Sequence, residues 1–284
     1  MLPRLVKGGP EQQAIEAGEI DAIVDHASSN VILLPAARRA LREAANRGSA
    51  TAQKAVNGAP VANRLLAAMP RAEYQSLLAD LEPLTLKFGE VLHEPGMPIS
   101  YVYFPVDCVI SLLTTGGDER ALEVGLVGRE GMVGISLALG TGVSSVRALV
   151  QTTGTALRMN AARFGETFQK CLSLQRALYR YAHAKLALAR QTVACSCFHA
   201  IEARLARWLL MASDRLQLAT FFITQAALAN TLGVRRTTVN QAAGSLQQRE
   251  LISYSRGHIR ILDRKGLEAA SCRCYAKIEA LKIA

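Results

Sequence analysis

The sequence predicts an α+β fold in which a β-rich unit is followed by a long helix and then by a helical unit closed with a small hairpin. Three observations carry this. Short apolar runs between Leu84 and Met159 are separated by glycine-containing turns, an unbroken helical pattern follows Met159, and the segment QAALANTLGVRRTTVNQAAG is followed by two alternating runs in ELISYSRGHIRILD.

The 284 residues are half hydrophobic, enough for a sizeable core and for more than one domain. The expected division is an N-terminal extension or linker over 1–60, a β unit over 61–160, a short helix and a long one over 161–198, and a C-terminal unit over 199–284. The first segment is rich in Ala, Gly, Asn and Ser, with apolar patches in AIVDH and NVILLPAA and a helical stretch around Pro35 to Asn46. From Asn63 to Asp80 the spacing of Leu65, Leu66, Met69, Tyr74, Leu77, Leu78 and Leu81 predicts a helix broken at Pro70.

The turns FGE, EPGMP, TTGGDE, VGREG, GTG and TTG then recur at regular intervals, which is the pattern of an all-β sandwich or barrel, here jelly-roll-like. After Met159 the β signals stop. A short helix containing Gly165 leads into a long one, in which Leu174, Leu178, Tyr181, Lys185, Leu188 and Thr192 alternate spacings of four and three. That spacing predicts a dimerisation seam through Leu174, Leu178, Tyr181, Lys185 and Leu188, with the packing of this helix on its own β unit as the alternative. A further amphipathic helix, about His199 to Leu216, is expected to bury Leu205, Trp208, Leu209 and Ala212 and to carry Arg204 and Arg207 off that face.

The C-terminal segment fits a helix-turn-helix. Ala229 is small where the second helix crosses, Gly233 turns the chain between helices, and Val239 packs the second helix onto Leu228, Leu232 and Val234. Thr224 caps the first helix. The second helix then presents Arg235, Arg236, Thr237, Thr238, Asn240 and Gln241 near its N-terminal half, where side chains reach base edges in the major groove; Thr224 and Gln225 complete that surface from the first helix. The strands Leu251–Tyr254 and His258–Leu262, joined at Ser255, Arg256 and Gly257, form a wing whose Arg256 meets a phosphate.

Charge supports this placement. The formal net charge of +10 favours an anionic partner. Acidic residues outnumber basic ones over 76–160, whereas residues 221–265 hold Arg235, Arg236, Arg249, Arg256, Arg260, Arg264 and Lys265 against Glu250 and Asp263 alone. The phosphate backbone of double-stranded DNA belongs on that C-terminal unit.

Other function classes find less support. No run of about 18 apolar residues marks a membrane span and no N-terminal signal is visible, so the expectation is a soluble, cytoplasmic chain with no membrane partner. The six cysteines do not read as a disulfide framework. No Ser-His-Asp order, phosphate-binding glycine loop or helical histidine pair points to an enzyme, and Asp118 and Glu119 read as a solvated turn. Cys195, Cys197 and His199 lie close in sequence, and Cys272 and Cys274 would complete a metal site if the fold brought them near. Residues two apart on a helix diverge by about 200°, so buried structural thiols are expected and no metal.

Taken together, the β unit, long helix and C-terminal segment FITQAALANTLGVRRTTVNQAAGSLQQRELISYSRGHIRILDRKGLE resemble the Crp/Fnr family of bacterial transcription regulators over about residues 63–275. The resemblance implies a cyclic-nucleotide-binding-like β roll, a homodimer joined along the long helix, a palindromic operator, an unidentified small-molecule effector and RNA polymerase as a further partner. Its effector cassette falls on MVGISLALGTGVSSVRALVQ, which assigns Gly134, Ile135 and Arg147 to an effector site. Ile135 stands where cyclic AMP-binding members carry Glu, and the phosphate-binding Arg falls at Val146, with Arg147 one residue on and so on the opposite strand face. No cofactor is expected, and cyclic AMP is disfavoured as ligand. Thr237 and Gln241 also depart from the recognition helix of the cyclic-AMP-responsive activator, so the operator should differ. No cysteine precedes Cys108, which argues against the family's N-terminal iron-sulphur cluster. Two alternatives remain: a ligand sensor acting through protein partners, and a thiol- or metal-responsive redox regulator.

Overall fold

The computed structural model describes residues 63–115 and 121–281, together with strands β1 (Ala22–Asp25) and β2 (Asn30–Leu33), which pair antiparallel. The remainder of the expected N-terminal linker, including its helical stretch around Pro35–Asn46, and the Asp118–Glu119 turn lie outside the described residues.

Helices α1 (Arg64–Ala67) and α2 (Arg71–Leu78) are separated at Pro70, as its missing N–H requires. The Asn63 side chain caps α1 by accepting from Leu66 N, and its amide donates to the carbonyls of Pro105 and Gly131, both at 2.9 Å. This fully buried residue fastens the helical start to the β unit.

Strands β3 (Glu82–Leu86), β4 (Val91–His93), β5 (Tyr101–Pro105), β6 (Ile110–Thr115), β7 (Ala121–Val127), β8 (Arg147–Val150) and β9 (Gly154–Asn160) are all paired antiparallel. They form a three-stranded sheet, β3-β9-β5, and a four-stranded one, β4-β8-β6-β7. The roll interior is filled by Leu86, Tyr103, Ile110, Val127, Val133, Ala148 and Val150. A bulge in β7 sets Leu112 opposite Gly125 and Leu113 opposite Glu123, re-aiming the strand where it meets the C-terminal unit.

Helix α3 (Ala161–Lys170), capped by Asn160, leads into the long helix α4 (Leu172–Phe198). Here the structure corrects the expected seam. Leu174, Leu178 and Tyr181 are buried in one cluster with Leu65, Phe104, Met132 and Phe164 of their own protomer, and the Tyr181 hydroxyl donates to Met132 O. Lys185 donates to Leu126 O at 2.5 Å, and Leu188 packs with Met211 and Ile278. The four-three spacing is therefore the stripe by which α4 rests on its own chain, not a free dimer face. A second stripe, Leu172, Tyr179, Leu186 and Val193, repeats every seven residues and is exposed.

The C-terminal unit consists of α5 (Ile201–Leu216), β10 (Thr220–Phe222), α6 (Gln225–Leu232), α7 (Arg236–Gln248), β11 (Ile252–Ser255), β12 (His258–Ile261), α8 (Arg264–Ala270) and α9 (Cys274–Glu279). A three-stranded antiparallel sheet, β10-β12-β11, forms the wing. Arg204 and Arg207 are buried rather than displayed, because α5 lies between the roll and the helix-turn-helix and has no solvated face at these positions; Arg204 donates to Leu232 O at 2.7 Å. Among the described residues no helix is long and apolar enough to cross a membrane.

Roll and C-terminal unit share a core. Val109 and Leu126 of the roll join Leu205, Leu209, Leu228 and Val239 in one cluster. Buried polar groups specify the join. Glu123 accepts from Trp208 Nε1 at 2.9 Å, from Thr231 Oγ1 at 3.2 Å and from Ser111 Oγ. Glu130 pairs with Arg215 at 2.9 Å, both side chains 8% exposed. Burial pushes the Glu123 carboxyl upward in pKa despite these donors. Burial also acts to raise Glu130, but the charges of Arg215 and Lys185 overcome it and hold that carboxyl below its ordinary value.

Two substitutions separate these groups. Arg215→Ala leaves a buried carboxylate without its cation and should lower unfolding free energy by about 3–5 kcal/mol in urea titrations. Glu123→Gln removes the charge but keeps the side-chain shape and an acceptor oxygen for Trp208 and Thr231, and should change stability by less than about 1.5 kcal/mol. A small effect for Arg215→Ala would show that the pair does not hold the join.

Candidate nucleic-acid interface

The helix-turn-helix is positioned by local chemistry. The Thr224 hydroxyl accepts from Ala227 N at 3.1 Å and starts α6. Gly233 ends α6 in the left-handed region, with φ of 65°, which a side chain disfavours. A Cβ there would also press to 2.9 Å from the Leu122 side chain on β7. Val234 N then bonds back to Ala229 O, and Val239, Ala242, Ala243 and Leu246 bury the inner face of α7.

The outer face of α7 carries Arg235, Arg236, Thr237, Asn240 and Gln241, all exposed, with Thr238 half-buried. Arg235 is the N-cap residue, so the arginine pair sits at the helix start, where unpaired N–H groups and the helix dipole also favour phosphate. Gln225 on α6 reaches Asn240 on α7 at 3.4 Å and braces the two helices. Thr224 is a correction: at 1% exposure its hydroxyl is committed to the cap, so its side chain does not face a DNA ligand.

The wing turns through the two residues Arg256 and Gly257, with φ of 50° and 81° between paired Ser255 and His258, the geometry that suits a right-twisted hairpin. Arg256 stands exposed at its tip. Two of the other arginines are internally committed. Arg249 pairs with Glu202 at 2.7 Å, and Arg264 with Asp214 at 2.7 Å and with Glu268. Among the described residues, Arg235, Arg236 and Arg256 have no ion pair, which leaves their charge for an external anion.

The residues assigned to an effector do not assemble on one another in the same way. Gly134, with φ of 95°, starts the 3₁₀ turn Ile135–Leu139, and Ile135 packs partly buried against the cluster around Phe104. Arg147 lies on the half-exposed side of β8, where burial alternates, and donates from Nε and its terminal amine to Glu94 at 3.1 and 2.8 Å. The strand alternation that places Ala148 in the roll interior turns Arg147 away from it. Cys195, Cys272 and Cys274 are buried, as expected, but they also converge with a histidine. Cys197 is exposed, whereas Cys195, His199, Cys272 and Cys274 bring their ligand atoms within 4.8 Å of one another. The sequence spacing named these residues but could not show their convergence, which depends on α9 returning to the end of α4.

Residues 203–270 match the family model of the Crp-like helix-turn-helix domain. No curated protein matches the chain in sequence. Solved structures similar to it include a crp/fnr-family transcriptional regulator from Eubacterium rectale (17% identity, TM-score 0.57, covering 71% of this chain and 94% of that one). FixK2 from Bradyrhizobium japonicum is similar at 15% identity and a TM-score of 0.60, covering 68% of this chain and 98% of its own. The c-di-GMP-responsive global regulator CLP of Xanthomonas campestris is similar at 18% identity and a TM-score of 0.56, covering 68% and 99%. The chain thus carries a Crp-like helix-turn-helix domain on the fold of Crp/Fnr-family regulators, with the α+β architecture and cyclic-nucleotide-binding-like roll expected from sequence.

Two arginine substitutions should behave differently in anisotropy titrations against duplex DNA. Arg236→Ala should cost about 1–3 kcal/mol and relax discrimination at the base pair it contacts. Arg256→Ala should weaken all sequences alike and reduce the salt slope by about 1. Unchanged discrimination for Arg236→Ala would remove it from the base-reading set.

Proposed function

We propose that this chain, with its Crp-like helix-turn-helix domain and its roll, is a homodimeric, sequence-specific DNA-binding transcriptional regulator that acts in the cytoplasm. The observation that carries the reading is the exposed N-terminal face of α7. There Arg235 and Arg236, free of ion pairs among the described residues, stand with Thr237, Asn240 and Gln241 on a helix whose other side is packed into the core of its domain. Arg forks match guanine and Asn or Gln match adenine in the major groove. Arg256 on the wing and the start of α7 hold phosphates and set the register.

The second copy docks along α4. Its inward stripe is occupied by the roll, whereas Leu172, Tyr179, Leu186 and Val193 form an exposed apolar line at the seven-residue period of a coiled-coil seam, with small Ala182 and Ala189 three residues after Tyr179 and Leu186. This line replaces the seam expected from Leu174 and its partners. Two-fold symmetry about it presents two α7 helices to an inverted repeat.

The roll acts as a modulator of that geometry through β7, which touches α6 directly. Cyclic AMP is a poor fit: Ile135 offers no acceptor to a ribose, and Arg147 is engaged by Glu94. An uncompensated phosphate in such a site would be costly. An effector of another kind and RNA polymerase beside the operator are the remaining partners of the reading, which assigns the chain no catalytic step.

The dimer is tested by Leu186→Glu, which places a charge on each side of the two-fold axis. Sedimentation equilibrium should show the dimer Kd raised about 100-fold, roughly 2.7 kcal/mol, with operator affinity lost and the helical circular dichroism unchanged. A persistent dimer would contradict the seam.

A further inference from the structure

Three of the six cysteines and one histidine meet at a single point of the fold. Cys195 is on the last turn of α4, and His199 follows that helix as its C-terminal cap residue. Four residues on a helix bring a side chain back to nearly the same face. Cys272 lies in the turn between α8 and α9, and Cys274 opens α9. All four ligand atoms fall within 4.8 Å of one another. Cys195 Sγ and Cys272 Sγ are 3.4 Å apart, and Cys274 Sγ is 3.6 Å from His199 Nδ1. The three thiols are buried, and Ala203 is the partly buried neighbour that packs against them.

We propose that Cys195, His199, Cys272 and Cys274 form a structural zinc site that clasps together the two ends of the DNA-binding domain. The donor set is Cys₃His, one of the combinations that hold zinc tetrahedrally with every position filled by protein. Zinc–sulphur bonds of about 2.3 Å and zinc–nitrogen bonds of about 2.0 Å place neighbouring tetrahedral ligands roughly 3.5–3.8 Å apart, close to the 3.4 Å between Cys195 and Cys272 and the 3.6 Å between Cys274 and His199, with every other pair within 4.8 Å. Closing on an ion requires the wider pairs to draw together by no more than about 1 Å.

The surroundings suit the charge. Three thiolates and a neutral imidazole around a divalent ion leave one net negative charge, which a buried site must balance. Arg207, 5% exposed and with its Nε unbonded, acts electrostatically on both Cys195 and Cys272, and Arg204 on the same pair. Gln191 donates to Cys274 Sγ at 3.0 Å, a hydrogen bond that a thiolate ligand accepts more strongly than a thiol. Binding releases the three thiol protons to solvent, with no change of oxidation state.

The position gives the site its consequence. The Crp-like domain match runs from residue 203 to residue 270, so two ligands precede it and two follow it. An ion there ties the chain entering the domain to the chain leaving it, and fixes both to the end of α4. The clasp does not depend on the DNA-binding reading and stands or falls separately from it.

The test begins with the full chain purified under reducing conditions without chelator. Elemental analysis should find about one zinc ion per chain. Cobalt substitution should give the visible d–d bands of a tetrahedral site and thiolate-to-metal charge transfer in the near ultraviolet. His199→Gln and Cys272→Ser should lose most of the metal, whereas Cys197→Ser, at an exposed position two residues from Cys195, should keep it. If the buried-site variants fail to fold, the cobalt spectrum of the unaltered chain still decides. A chain that holds no zinc after reconstitution overturns the proposal. So do iron with inorganic sulphide at these residues, and a Cys195–Cys272 disulfide that persists under reductant.

Discussion

Two carboxylates on the roll hold the C-terminal unit in place. Glu123 on β7 takes hydrogen bonds from Trp208 on α5 and Thr231 on α6, while Glu130, just beyond β7, pairs with Arg215 near the end of α5. Burying polar or charged groups is unfavourable unless geometry and hydrogen bonding offset the loss of water, so this join has one good register and poor alternatives. An apolar interface alone would tolerate sliding. Gly233, in the turn between α6 and α7, lies beside the Leu122 side chain of β7, closely enough that a Cβ there would meet it at 2.9 Å, so the roll's hairpin and the start of α7 are neighbours.

The long helix serves two surfaces at once. Its Leu174–Leu188 stripe seats it on the roll and on α5, and its Leu172–Val193 stripe faces outward. Lys185, in the inner stripe, is half-buried and donates to Leu126 O, and the loss of water around its ammonium lowers its pKa to about 8. Its ammonium lies near Glu130 and Arg215 and so belongs to the same charged junction. At its far end α4 delivers Cys195 and His199 to the turn bearing Cys272 and Cys274. One helix thus connects the roll, the proposed two-fold axis and the DNA-binding domain, a compact route by which an event at one could bias the others.

Much of this was legible in the sequence, for reasons that differ by element. Glycine turns and alternation marked the roll, because strand period and turn chemistry are local. The helix-turn-helix was readable for the same reason: Ala229, Gly233 and Val239 meet steric demands within one short segment, and the Arg256–Gly257 turn is set by backbone geometry alone. The errors came where a distant segment decides. Both stripes of α4 are apolar, and periodicity cannot say which rests on the roll. Arg204 and Arg207 are buried because α5 is covered on both sides, and Thr224 is buried because its cap turns inward. The meeting of Cys195 and His199 with Cys272 and Cys274 depends on α9 folding back across the domain, which spacing along the chain does not encode.

In the proposed dimer, two copies of α7, related by a two-fold axis along α4, read a symmetric DNA site. Selection of duplexes from a random pool by the purified full-length chain, followed by sequencing, tests it most directly. Two symmetric copies of α7 should enrich an inverted repeat with half-site centres about one helical turn apart, roughly 34–36 Å, or a multiple of that spacing. Failure to enrich any sequence, or enrichment of a single asymmetric half-site, would contradict it.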